Sequence, residues 1–209
     1  MNVREAYNQW ANQYDTNHNR TRDLEATALR ECLSALPVTN CLEIGCGTGK
    51  NTQWLVTKAA SVTAVDFSDE MLQHAKQKVT APNVQFIQAD ITQPWQFTGG
   101  PYSLVTFSLV LEHIEKLSHI FSQCAQYLQR GGYVYIGELH PFKQYTGSKA
   151  RFETEGGTQV VTCFTHNISD FVQEAKKYDL LLRDFKEYFD DGDTTTLPRI
   201  VTLLLKKEG

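Results

Sequence analysis

The amino-acid sequence predicts an α/β protein built on a doubly wound, mostly parallel sheet. Three observations carry that expectation. Short apolar or β-branched runs alternate along the chain with segments of helical period, as in consecutive strand–helix units. The run Cys41 to Ile44 breaks into glycines at alternate positions, Gly45, Gly47 and Gly49, and a helical segment follows. A strand, a glycine turn and a helix N-terminus offer bare backbone to the polar part of a nucleotide-like ligand. The next strand, Ser61 to Asp66, ends in a carboxylate 17 residues beyond Gly49, where such sheets place an acceptor for ribose hydroxyls.

The 209 residues suit one domain, 1–209, with a full core. A hydrophobic fraction of 41% and a charged fraction of 21% are ordinary for a globular protein. The net charge of −4 argues against a nucleic-acid partner, which usually leaves a basic footprint. No apolar run approaches the roughly 20 residues that span a bilayer, and Met1 to Glu5 has no apolar signal-peptide core. Five cysteines, an odd count without paired spacing, point to free thiols and a cytoplasmic location.

In chain order, Tyr7, Trp10 and Tyr14 stand three and four apart, one face of a helix. Residues 1–21 either pack that aromatic stripe on the body or form a lid. A helix runs from Arg22 to Leu36 and stops at Pro37. The first strand, Asn40 to Ile44, leads through the glycines to a helix over Lys50 to Lys58. After the strand ending at Asp66, Ser68 caps a helix reaching Val79, with Asp69 and Glu70 in its first turn. Val84 to Ala89 is the third strand, followed by Asp90-Ile91. Tyr102 to Phe107 is the fourth, leading into Ser108-Leu109-Val110-Leu111-Glu112-His113. A helix over Glu115 to Gln129 is stopped by Arg130-Gly131-Gly132. The fifth strand is Tyr133 to Glu138, followed by Leu139-His140-Pro141. Residues 141–166 read as a substrate-binding insertion carrying Tyr145, Lys149 and Arg151, then Gly156-Gly157 and a strand from Thr158 to Phe164. A last helix opens at Thr165–Asp170 and ends near Tyr178. Strands at Leu181–Phe189 and Ile200–Leu205 finish a seven-stranded sheet as an antiparallel pair.

The run Glu43-x-Gly45-x-Gly47-x-Gly49, with Asp66, resembles motif I of the class I S-adenosylmethionine (SAM)-dependent methyltransferases. A dinucleotide motif G-x-G-x-x-G would need its last glycine at Lys50. Leu111-Glu112-His113 after the fourth strand resembles the small-molecule enzymes of the ubiquinone-biosynthesis type. The resemblance covers nearly the whole chain and implies a Rossmann-like sheet with a C-terminal antiparallel strand. It implies SAM as cofactor: Gly45, Gly47 and Gly49 against the methionine portion, Asp66 on the ribose, and Met71, Asp90 and Ile91 on the adenine. Ser108 would offer a backbone group near the methionine amine, and Tyr14, of the Tyr14-Asp15 pair, would cover the cofactor. Glu43 is expected to orient the loop.

The implied activity is methyl transfer to an oxygen or nitrogen of a small-molecule acceptor. The alternative is a catalytically silent SAM-binding protein with a regulatory or scaffold role. Methyl transfer needs alignment and desolvation, and a general base only if the acceptor must lose a proton. His113 and His140 follow strand ends and are the candidate bases, each otherwise a structural histidine. Glu112, Tyr145, Arg151 and His166 are the candidate acceptor contacts, Arg151 suited to a carboxylate. Other acceptor classes fit poorly: no Asn/Asp-Pro-Pro-Tyr follows the fourth strand, and no cysteine follows a proline. No metal is expected, since no Cys/His set has zinc spacing and Glu112 alone makes no acidic cluster.

Overall fold

A computed structural model describes residues 2–16, 18–154 and 157–208; Gly156, half of the expected Gly156-Gly157 turn, lies outside them. The chain opens with helices α1 (Val3–Tyr14) and α2 (Arg20–Leu33). There follow β1 (Asn40–Ile44), α3 (Thr52–Lys58), β2 (Ser61–Asp66), α4 (Asp69–Lys78), β3 (Val84–Gln88) and β4 (Tyr102–Ser108). A 3-10 turn at Leu111–His113 precedes α5 (Leu117–Tyr127) and β5 (Leu128–Leu139). The insertion folds as α6 (Pro141–Tyr145) and the hairpin β6 (Arg151–Thr154) and β7 (Gly157–Val160). The chain closes with α7 (Ile168–Lys176), β8 (Leu180–Tyr188) and β9 (Ile200–Lys207).

The main sheet has seven strands in the order β3-β2-β1-β4-β5-β9-β8. The first five run parallel, and β9 is antiparallel to both β5 and β8. Alternation along each central strand feeds two cores. Leu42, Ile44, Val105, Phe107, Val134 and Ile136 join Phe121 of α5 and Phe171 of α7 on one face. Cys41, Leu104 and Tyr135 join Leu29, Leu33 and Leu55 on the other. Covering both faces is what a parallel sheet requires, because its strands are apolar on both sides. The strand order reverses between β1 and β4, and ligands of such sheets bind at the carboxyl ends flanking that point.

Three boundaries depart from the sequence expectation. Helix α2 ends at Leu33 rather than Leu36, because the residue before a proline is pushed out of the helical region and Pro37 acts upstream of itself. Arg130-Gly131-Gly132 does not stop α5 but lies inside β5. There Tyr102 pairs with Leu128 and Leu104 with Tyr133, so the intervening residues bulge out and Gly131 takes φ +75°. The strand expected over Thr158 to Phe164 ends at Val160; beyond it the Phe164 N–H donates to the Glu112 carbonyl at 2.7 Å, tying the segment to the 3-10 turn. No helix among the described residues is long and apolar enough to cross a membrane.

Candidate active site

The glycine loop is shaped by two different needs. Gly45, Gly47 and Gly49 all take positive φ, +71°, +53° and +82°, which other residues rarely adopt. A Cβ on Gly45 would also stand 2.2 Å from Val110 Cγ2, whereas one on Gly47 would meet only Tyr14 Cε1 at 4.0 Å. Gly45 therefore packs against the turn after β4, while Gly47 presents open backbone. Glu43 is buried beneath the loop and accepts from Thr52 Oγ1 at 2.6 Å; burial pushes its carboxyl up to about 8. It holds the first turn of α3, where the sequence predicts a hold on the loop itself.

Asp66 ends β2 half-buried. Its Oδ2 accepts from the Gly47 N–H at 2.7 Å and its Oδ1 from the Ser68 N–H at 2.9 Å. Burial raises the carboxyl above its usual range, and these backbone donors oppose the rise. A carboxylate offers about four lone-pair sites, so both oxygens retain capacity for a ligand hydroxyl. Asp66, Gly45, Gly47, Asp90, Ile91 and Ser108 line one cavity of about 320 Å³. Asp90 Oδ1 accepts from the backbone and hydroxyl of Thr92, which fixes the turn after β3.

Helix α1 roofs this cavity with Tyr7 and Tyr14. The roof is held at several points. Trp10 stacks on Phe152 of β6, with centroids 5.3 Å apart. Asp15 accepts from Thr48 Oγ1 of the glycine loop at 2.7 Å and pairs with Lys78 at 2.5 Å. Burial pushes the Asp15 carboxyl up, but the Lys78 and Thr48 hydrogen bonds outweigh it and hold the group below its usual range. The Arg22 guanidinium lies 4.0 Å from the Tyr14 ring centroid and donates to the Tyr14 carbonyl.

The turn after β4 is organised by Glu138 of β5. Its Oε1 accepts from the Val110 and Leu111 N–H groups at 2.9 and 2.8 Å, and burial pushes its carboxyl up to about 8. Leu109 takes φ +58°, an uncommon conformation for leucine, where the chain leaves the sheet. The turn delivers Glu112 and His113. His113 Nδ1 bonds the Thr162 carbonyl at 2.8 Å; a carbonyl only accepts, so Nδ1 carries the proton. Nε2 is then an acceptor, and the Tyr7 phenol donates to it at 2.8 Å. Glu112 Oε1 stands 3.9 Å from Nε2, and burial raises the Glu112 carboxyl. Glu112, His113 and Cys163 bring ligand atoms within 4.8 Å of one another, but hydrogen bonds already engage both His113 nitrogens.

A second cavity of about 280 Å³ adjoins the first and shares Tyr7, Tyr14 and Leu109 with it. Glu112 and Arg151 line it, together with Lys149.

Five expected site residues lie elsewhere. Gly49 walls neither cavity: a Cβ there would stand 3.2 Å from Val79 Cγ2 and 3.3 Å from Ala75, so the loop packs at that point on the end of α4. Met71 is 1% exposed, packed into the core from the first turn of α4; Phe67, 37% exposed, takes its place on the cavity wall. His140 is fully buried: its Nδ1 accepts from the Phe142 N–H and caps α6, and its Nε2 meets Glu187 at 2.9 Å. Burial lowers its affinity for a proton, with Glu187 opposing. It walls neither cavity, because β5 carries it one residue past the sheet edge and into the α6 cap. His166 donates from Nε2 to the Ile114 carbonyl at 2.7 Å, a latch between the insertion and the 3-10 turn. Tyr145 is 61% exposed and donates to Asn167 Oδ1. Tyr7, Phe67, Glu138, Arg22 and Arg199 are among the site residues that sequence reasoning did not assign. Of these only Tyr7 carried a signal, as the first member of the aromatic stripe.

Residues 42–136 match the family model described as a methyltransferase domain. The chain is 29% identical over 119 residues to a ubiquinone biosynthesis O-methyltransferase of Nitrosomonas europaea, covering 56% of this chain and 51% of that protein. It is 26% identical over 140 residues to the enzyme of the same name from Escherichia coli O9:H4, covering 65% and 57%. The matches thus span a little over half the length of these curated relatives. Among solved structures, it resembles the N-methyltransferase NodS of Bradyrhizobium japonicum WM9 in complex with S-adenosyl-L-homocysteine (SAH), with a TM-score of 0.75 at 17% identity over 100% of both chains.

Proposed function

We propose that this chain is a class I SAM-dependent methyltransferase that binds SAM in the first cavity and methylates a small molecule held in the second, a reading that its domain match and its sheet support. The observation that carries this reading is the convergence of the glycine loop, Asp66, Asp90 and Ser108 on one cavity at the switch point of the sheet. The residues fit the group. Gly47 offers backbone with no side chain in the way, Asp66 has acceptor capacity for hydroxyls, and Phe67, Ala89 and Ile91 give an apolar wall for a flat ring. Bound SAM supplies a methyl group activated on a sulfonium.

The chain supplies closure and a route for a proton. The roof of Tyr7 and Tyr14 shuts water from the shared wall, which favours an in-line displacement. The two curated relatives act on oxygen by name, which favours a hydroxyl acceptor here. Such a hydroxyl passes its proton to the Tyr7 oxygen while the phenol proton moves to His113 Nε2. Glu112, 3.9 Å away, then faces the imidazolium. In this reading His113 is the base and acts through Tyr7.

Calorimetry with SAM, followed by a metabolite panel incubated with methyl-labelled SAM, tests the proposal. Label transferred to a small molecule supports it. SAM binding with no transfer to any fraction favours the silent SAM-binding alternative, and absence of SAM binding overturns both.

A further inference from the structure

The second cavity is more basic than a protein of net charge −4 leads one to expect. Four cationic side chains reach its wall, Arg22, Lys149, Arg151 and Arg199, against one carboxylate, Glu112. They arrive from three separate parts of the chain: α2, the insertion, and the approach to β9. The charge of Arg199 is balanced, since Nε and Nη2 pair with Asp190 at 2.5 and 2.6 Å and Nη1 donates to Thr21. Arg22 is spent on holding Tyr14. Lys149 and Arg151 differ from both: they are exposed where they line the cavity and form no salt bridge among the described residues, so their charges are open to a ligand.

Two exposed cations with no salt bridge among the described residues line a cavity that shares Tyr7 with the first cavity, and together they offer an anion contact and a hydroxyl contact in one acceptor site. We propose that the second cavity recognises a small oxyacid, its carboxylate or phosphonate group held by Arg151 and Lys149 and its nucleophilic hydroxyl directed to Tyr7. The guanidinium of Arg151 suits a two-oxygen anion, and the Lys149 ammonium adds a point charge. The nucleophile forms its bond to the methyl carbon as the carbon–sulfur bond breaks. The hydroxyl proton passes to Tyr7, and the cofactor leaves as a neutral thioether. The acid group keeps its charge throughout and serves as the handle. This inference rests on the reading of the first cavity as the SAM site.

The test is calorimetric titration of the whole chain, with and without SAH, using four probes: 3-hydroxybenzoate, 3-hydroxyphenylphosphonate, and the neutral 3-hydroxybenzamide and 3-hydroxybenzyl alcohol. At least one anion is expected to bind about tenfold or more tightly than both neutral probes, the scale of charge-assisted hydrogen bonds. The preferred anion separates a carboxylate from a phosphonate acceptor. In the Lys149→Gln/Arg151→Gln double variant the anion should lose about tenfold in affinity while SAH affinity stays within about twofold. Neutral probes binding as well as the anions, no binding by any probe, or an unchanged anion affinity in the double variant overturns the proposal. SAH failing to bind while the anions still discriminate overturns the cofactor reading and leaves a basic small-molecule site. The two failures are therefore distinguishable.

Discussion

The Trp10 indole and the Phe152 ring lie face to face, 15° from parallel, and join the first helix to the hairpin of the insertion. Both are buried, and Ala6 and Val161 complete the small apolar cluster around them. The cluster is separate from the two cores of the sheet, so helix α1 has its own foundation.

Loosening that foundation should act on the lid alone. A stacked aromatic pair contributes about 0.5–1.5 kcal/mol beyond its area. Phe152→Ala is expected to speed proteolytic cleavage within the first twenty residues and to raise the rate of SAH dissociation. Limited proteolysis and stopped-flow displacement check this; unchanged rates of both would mean that α1 is held by Asp15 and Tyr7 without the stack.

Asp66→Ala removes an acceptor at the strand end and also frees the Gly47 N–H. The expected loss of SAM affinity is about 1–3 kcal/mol, or roughly 5- to 150-fold. Calorimetry on a variant whose circular dichroism matches the parent decides it, and wild-type affinity would place the ribose elsewhere.

Tyr7 and His113 should behave as one unit. Tyr7→Phe removes the phenol from the 2.8 Å hydrogen bond, and His113→Ala removes its acceptor. With a hydroxyl acceptor each is expected to lower kcat by about 10²- to 10⁴-fold, the range of general-base catalysis, and the double variant should be little worse than either single one. Any loss of SAM affinity should be far smaller than the loss in kcat, because the pair acts on the proton of the acceptor. Additive losses in kcat would separate the two residues into independent roles.

Three buried carboxyls link stability to pH. Burial pushes Glu25 up to about 7, and Glu43 and Glu138 up to about 8, from an ordinary 4.5. Between those values the folded chain holds protons that the unfolded chain has released. The resulting stabilisation is complete below about pH 4.5 and is lost as pH rises through 7 and 8, at no more than about 1.4 kcal/mol per pH unit for each group. Denaturant midpoints are expected to fall between pH 5.5 and 8.5, and Glu43→Gln, which keeps an acceptor for Thr52, should flatten the fall. A midpoint rising over that range would reverse the assignment.

The first cavity was legible because most of its parts are local in sequence. Gly45, Gly47 and Gly49 sit on one turn, and Asp66 and Asp90 each end a strand. Adjacent residues were harder to separate. Spacing alone does not say that Met71 turns into the core while Phe67, four residues earlier, lines the cavity, because that depends on how α4 leaves β2. The acceptor side was legible only as a region. Tyr7 and His113 are 106 residues apart, and Arg22 and Arg199 reach one cavity from opposite ends of the chain. His140 misled because a histidine after a strand end looks the same whether it faces a cleft or caps a helix. Only the geometry of α6 and the nearness of Glu187 distinguish the two.

Tyr7 and Tyr14, both on α1, wall the cofactor cavity and the acceptor cavity together. One door thus serves two rooms. If the two cavities hold cofactor and acceptor as proposed, lifting α1 for the spent cofactor to leave uncovers the methylated product in the same movement, and the acceptor is not sealed in before the cofactor is. Traffic of the two ligands would then be tied to a single event, whose rate would set a ceiling on turnover whatever the speed of the methyl transfer itself.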